Sequence, residues 1–158
     1  MRAPRFPMEI SATVDWARDG AAFTDHRYSR AHRWRFDGGA EVAASSSPEI
    51  VPVPLSDPAA VDPEEAFVAA IASCHMLWFL SLAARAGHVV ESYHDDARAT
   101  LGADGRGRQA VTHVTLRPRV AYDGPAPDAD AEAALHDQAH ERCFIAASVR
   151  SEVTVEPR

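Results

Sequence analysis

Residues 66–84 contain no Asp, Glu, Lys or Arg. An apolar run of that length either nearly spans a bilayer or forms a helix buried on almost all sides of a folded domain. Ser73, Cys74, His75 and Ser81 lie inside it, and polar groups are costly in the middle of a membrane. The rest of the chain has no other large apolar element around which to fold. The expectation is a central core helix and no membrane partner. Its ends are marked: Asp62 is a good N-cap, Pro63 suits the first helical position and Glu65 completes a capping box. Gly87 supplies the C-terminal stop after Ala86.

Around this helix the pattern changes to period two. Met8, Ile10, Ala12, Val14 and Trp16 alternate with Glu9, Ser11, Thr13 and Asp15, as in a half-buried strand. Asp19-Gly20 marks a turn, and further strands are predicted over 22–29 and 32–36. Residues 41–61 are rich in Ser, Ala and Pro, lack periodicity, and read as a long loop. After the helix, strands are expected over 89–101 and 110–122, with a turn at Asp104-Gly105-Arg106-Gly107. Thr112, Val114, Leu116, Pro118, Val120 and Tyr122 share one face; Pro118, which has no N–H, places that strand at an edge or a bulge. Asp128 or Asp130 caps a second helix to about Arg142, and a last strand covers 148–155. The order is α+β rather than an alternation of βαβ units. A single domain over 1–158 is expected, with N-terminal strands (1–40), loop (41–61), central helix (62–87), then strands and the second helix (88–158).

Net charge is −7 and the pI about 5.5, with no basic run, which argues against a nucleic-acid partner or an anionic membrane surface. Residues 1–7 are not followed by an apolar stretch of the secretory kind, so a cytoplasmic, reducing compartment is expected. The two cysteines are then thiols rather than a permanent bridge. No Ser-His-Asp pattern, P-loop, GxGxxG opening or EF-hand loop is present, and no organic cofactor is implied.

Those cysteines carry the chemistry. Cys74 lies within the apolar helix, in Ala72-Ser73-Cys74-His75-Met76-Leu77-Trp78, and Cys143 lies where the polar second helix is expected to run into an apolar strand, in His140-Glu141-Arg142-Cys143-Phe144-Ile145-Ala146. A peroxide-reducing thiol must ionise, attack, and be trapped as a disulfide by a second thiol before over-oxidation. Buried free cysteines are also ordinary core residues. A metal reading competes: His136, His140 and Cys143 fall at i, i+4 and i+7 of one helix, and Cys74 or His75 completes a tetrahedral zinc set. Against it, neither C-x-x-C nor H-E-x-x-H occurs. A third reading is a module that holds an apolar ligand beside the central helix without catalysis.

Pro63-Glu64-Glu65, Ala72-Ser73-Cys74-His75 and Cys143-Phe144-Ile145-Ala146-Ala147-Ser148-Val149, in that order, make the chain resemble the family of osmotically inducible protein C and organic hydroperoxide resistance proteins (OsmC/Ohr) from its first strand to its last. The resemblance implies an OsmC-like fold of antiparallel sheets around long central helices and an intertwined homodimer. It also implies a thiol peroxidase acting on organic hydroperoxides, recycled by a dithiol reductant such as a lipoylated protein or a small thiol. Carried onto this sequence, Cys74 matches the peroxidatic cysteine, Cys143 the resolving one and Glu64 the family's glutamate. The family's arginine matches Arg30, in Tyr28-Ser29-Arg30-Ala31-His32, where Ala31 departs from the pattern; Arg18, in Arg18-Asp19-Gly20, is the alternative. Ten helical residues put Glu64 about 15 Å along the axis from Cys74. Glu64 would therefore serve the partner's Cys74 across an antiparallel helix pair. Trp78, Phe79, Leu77, Phe67 and Phe144 are candidate apolar walls.

Overall fold

A computed structural model describes residues 6–158; Met1–Arg5, part of the stretch inspected for a leader, lie outside them. The chain divides into two compact units, with the boundary between Glu65 and Ala66.

In the first unit β1 (Ala12–Asp15), β2 (His32–Phe36) and β3 (Glu41–Ala44) form an antiparallel meander in the order β1-β2-β3. The predicted strand over 22–29 is not one. Asp19 and His26 take positive φ (48° and 62°), and two hydrogen-bonded turns, Ala21 to Arg18 and His26 to Phe23, fold the segment on itself. Its Phe23 and Tyr28 stack on each other at 4.7 Å and against Trp16, so its apolar residues meet within a loop instead of lining a ladder. The expected loop 41–61 contains β3, and its far end returns to it: Ala44 bridges to Val61 and the Ser45 hydroxyl accepts from the Asp57 amide.

Helix α1 spans Pro63–Ala86, as the capping signals predict. Asp62 Oδ1 accepts from the Glu65 amide at 2.7 Å and Glu65 Oε2 from the Asp62 amide at 3.1 Å, the reciprocal bonds of a capping box. At the other end Gly87 (φ 86°) closes a Schellman motif, with His88 N donating to Ala83 O and Gly87 N to Ala84 O. By length and composition α1 would cross a bilayer. Yet Ile71, His75, Phe79, Leu82 and Ala83, one helical stripe, are buried in the core of the second unit.

The two long strands expected after α1 each break into two. β4 (Val90–Asp95) pairs antiparallel with β7 (Pro118–Tyr122); β5 (Arg98–Ala103) pairs antiparallel with β6 (Gln109–Leu116) in a separate sheet. The ribbon changes sheet where Asp95 lies opposite Pro118. There the Arg117 N–H is taken by the Asp95 carboxylate at 2.7 Å, and Pro118 has no N–H to place. The predicted turn holds: Asp104 accepts from the Arg106 and Arg108 amides, and Gly107 takes φ 75°. Asp128 caps α2 (Ala129–Arg142) by accepting from the Ala131 amide. The chain then makes a short helix, α3 (Phe144–Ser148), where a strand was expected, and ends in β8 (Glu152–Val155), which runs parallel to β6. Two apolar clusters form the core of this unit. One joins Phe79, Leu82 and Ala83 to Leu135 and Ala139; the other sets Ile71 against Val114 and Leu116.

Gly87→Ala should lower stability by about 1 kcal/mol, because no side chain obstructs the site and only the left-handed backbone is penalised. Urea unfolding with an unchanged m-value is the check.

Candidate functional site

In the second unit α1 and α2 meet along their buried faces with partners in opposite order. Cys74 neighbours Cys143, His75 and Phe79 both meet His136, and Leu82 and Ala83 join the cluster of Leu135 and Ala139. The two thiols are thereby brought together: both are free, and Cys74 is close enough to Cys143 to raise its pKa. Cys143 ends α2 and caps α3, its Sγ accepting from the Ala146 amide at 3.3 Å.

The pair is asymmetric. Cys143 is 1% exposed and its thiol is pushed up to about 11, first by burial, with a smaller contribution from Cys74 and the Ala146 N–H acting the other way. It is protonated at neutral pH and unsuited to first attack. Cys74 is half-buried and lines a groove of about 520 Å³ with Ser73, Leu77, Trp78, Phe144 and Ile145. Trp78 and Phe144 meet edge to face at 5.6 Å. Of the expected walls, Leu77, Trp78 and Phe144 are in this groove. Phe79 points into the core, and Phe67 packs on the Ile71 cluster.

Behind the thiols lies a histidine cluster that the sequence alone does not reveal. His75 and His136 are 1% and 2% exposed, and His75 Nε2 lies 3.0 Å from His136 Nδ1. Their rings are near-parallel, and Phe79 stacks on His136 at 4.3 Å. Burial, then His136 and His140, lowers the His75 pKa to about 4; burial also lowers that of His136, against the pull of Glu132 and Asp137. The only advance sign is that His75 falls on the same helical stripe as Ile71, Phe79 and Leu82. Its partner was counted for zinc. Among the described residues no three His, Cys, Asp or Glu side chains are grouped to hold a metal. The zinc set of His136, His140 and Cys143 is therefore unsupported.

In the first unit Arg30 and Glu64, both half-buried, line one cavity of about 530 Å³ with Trp16, Phe23, Tyr28 and His32. Arg30 Nη1 donates to the carbonyls of His26 and Tyr28, and the guanidinium lies 3.8 Å from the centre of the Tyr28 ring. Arg18 is exposed and its Nη1 closes its own turn on Ala21 O. Arg30, and not Arg18, thus lines the same cavity as Glu64.

A family model described as OsmC-like protein matches residues 56–158. The chain is 54% identical to an OsmC-like protein of unknown function from Vibrio cholerae, with a TM-score of 0.93 over 96% of this chain and 99% of that one. An organic hydroperoxide resistance protein from Elizabethkingia anophelis shares the fold at 16% identity (TM-score 0.69, covering 95% and 94%). So does one from Bacillus subtilis at 18% (TM-score 0.69, covering 96% and 98%). No curated protein matches the sequence.

The histidine cluster predicts an acid-sensitive fold. The folded pKa of His75 lies below the unfolded value of 6.5, so between these values the unfolded chain binds more protons and stability falls as pH drops. The loss should begin near pH 6.5, level off near pH 4 and total on the order of 3 kcal/mol for a shift of that size. Denaturant titrations at several pH values between 7 and 4 measure it. His75→Gln should flatten the slope.

Proposed function

This chain belongs to the OsmC-like protein family, and from that premise we propose that it is a thiol peroxidase reducing organic hydroperoxides to alcohols. One observation carries the proposal: a half-buried thiol on the wall of an apolar groove has a second, buried thiol as its neighbour. The Cys74 thiolate attacks the outer peroxide oxygen and the O–O bond breaks. The alkoxide leaves as alcohol after taking a proton, and Cys74 becomes a sulfenic acid. Cys143 then displaces the sulfenic hydroxyl, which departs as water, to give the Cys74–Cys143 disulfide. A dithiol reductant, a lipoylated protein or a small thiol, returns both sulfurs to thiols and is itself oxidised to a disulfide. The groove's apolar lining suits the organic part of the peroxide.

Arg30 and Glu64 complete the site in this reading. A guanidinium stabilises a thiolate and holds a peroxide oxygen, and a carboxylate orients the guanidinium. Their cavity serves the partner's Cys74 in a cytoplasmic homodimer. In support of such a dimer, the first unit leaves Ile10, Val14, Trp16, Phe23 and Ile50 at least 41% exposed, apolar surface that a partner subunit would cover.

Mass spectrometry after one equivalent of cumene hydroperoxide should show loss of two hydrogens and a Cys74–Cys143 bridge. Cys74→Ser should reduce peroxide consumption to background. Cys143→Ser should consume one equivalent and stop at a sulfenic or more oxidised Cys74. Full activity in Cys74→Ser, or an apolar probe bound with neither thiol changed, would overturn the proposal. Size exclusion should give twice the 17.1 kDa chain mass.

A further inference from the structure

We propose that the buried hydrogen bond between His75 and His136 is a positioning device that sets α2 against α1 at the register bringing Cys143 to Cys74. The inference rests on the peroxidase reading for its purpose, but on geometry for its substance.

Four observations support it. His75 adjoins Cys74 on α1, and His136 precedes Cys143 by two turns of α2, about 10 Å of helix. The bond therefore ties together the two elements that carry the sulfurs. Second, disulfide formation tolerates little error: the Cβ atoms must approach to about 3.8 Å and the sulfurs to about 2.05 Å. A slip of one helical turn, about 5.4 Å, would end it. Third, the surrounding side chains, Ile71, Phe79, Leu82, Leu135 and Ala139, are apolar. Apolar contacts are non-directional and tolerate sliding, whereas a hydrogen bond fixes distance and angle. Fourth, among the described residues His75 Nδ1, His136 Nε2 and His140 Nδ1 are buried without a hydrogen-bond partner, and the one side-chain bond that each of the paired rings makes there is to the other. Two apolar side chains of similar shape would hold the core together about as well. What the pair adds is register, with Phe79 stacked on His136 as its clamp.

The test measures sulfur proximity by a route that does not need peroxide. Diamide oxidises a dithiol to a disulfide and is itself reduced to the hydrazine. Closure of Cys74–Cys143 is timed by quenching with an alkylating agent, alongside trapping of the Cys74 sulfenic acid by dimedone after organic hydroperoxide. The double variant His75→Leu/His136→Leu, which leaves no orphaned imidazole, should stay folded by circular dichroism and form sulfenic acid at the wild-type rate. Its diamide closure should slow by about tenfold, the scale of one net hydrogen bond. His136→Asn, which keeps a polar atom near the Nδ1 position, should restore most of the closure rate; His136→Gln, which moves that atom further out, should not. Wild-type closure in the folded double-Leu variant would overturn the proposal. If that variant does not fold, equal closure in His136→Asn and His136→Gln would overturn it. A wild type that closes with diamide but not with organic hydroperoxide refutes the peroxidase reading alone; one that closes with neither refutes both.

Discussion

The contact between the buried stripe of α1 and the buried face of α2 is the interaction on which the second unit depends. Ile71, His75, Phe79 and Leu82 recur at helical spacing, and Leu135, His136, Ala139 and Cys143 do the same on the facing helix. The two sheets cover the remaining sides: Tyr93, Val120 and Tyr122 pack on the Phe79 end, and Val111, Val153 and Val155 on the Ile71 end. Phe79 is fully buried, touches Tyr93 on one side and His136 on the other, and truncating such a residue to alanine typically costs about 3–5 kcal/mol. The position of Cys143 relative to Cys74 is a by-product of that packing. The site is thus built on helices held by a core, not on a loop.

The first unit holds its candidate site residues differently. Arg30 is held by its own loop: its backbone N–H bonds to Leu55 O, its guanidinium grips two carbonyls of the preceding turn, and the Tyr28 ring lies beneath it. The Trp16 indole donates to Ser29 O and ties the strand β1 side of the cavity to the same loop. Glu64 sits in the first turn of α1, where a carboxylate is favoured by the helix dipole whatever else it does. The aromatic cluster is therefore a scaffold for a cation, which explains why a segment with strand-like residues does not become a strand.

Legibility followed the range of the interactions involved. Local signals were read well: the capping box at Asp62–Glu65, the Gly87 stop, the Asp104 turn and the Asp128 cap are each satisfied within a few residues, and each stands where the sequence puts it. The two cysteines and Glu64 were visible as motifs. What failed depends on distant partners. The break of the long ribbon at Asp95 and Pro118 requires one strand's carboxylate to meet another strand's amide. The short helix α3 replaces an expected strand because Val149, Val153 and Val155 reach the Ile71 cluster without residues 144–148 being extended. The pairing of His75 with His136 spans 61 residues and leaves no local trace, so spacing suggested zinc for a residue that no metal-holding group surrounds among the described residues.

The burial of Cys143 looks at first like a handicap for a redox thiol, because desolvation holds it protonated. In the proposed cycle it is an advantage. A protonated thiol in the core competes poorly with Cys74 for peroxide and resists its own over-oxidation. Its proton is needed only when Cys74 has become a sulfenic acid, whose hydroxyl must leave as water; in that cycle the nearness of the two thiols puts the proton beside the leaving group. The same burial that suppresses attack by Cys143 on peroxide therefore does not hinder its attack on the neighbouring sulfur. Order in the reaction then follows from a difference in exposure: the thiol at the groove meets the oxidant, and the thiol in the core meets only its neighbour.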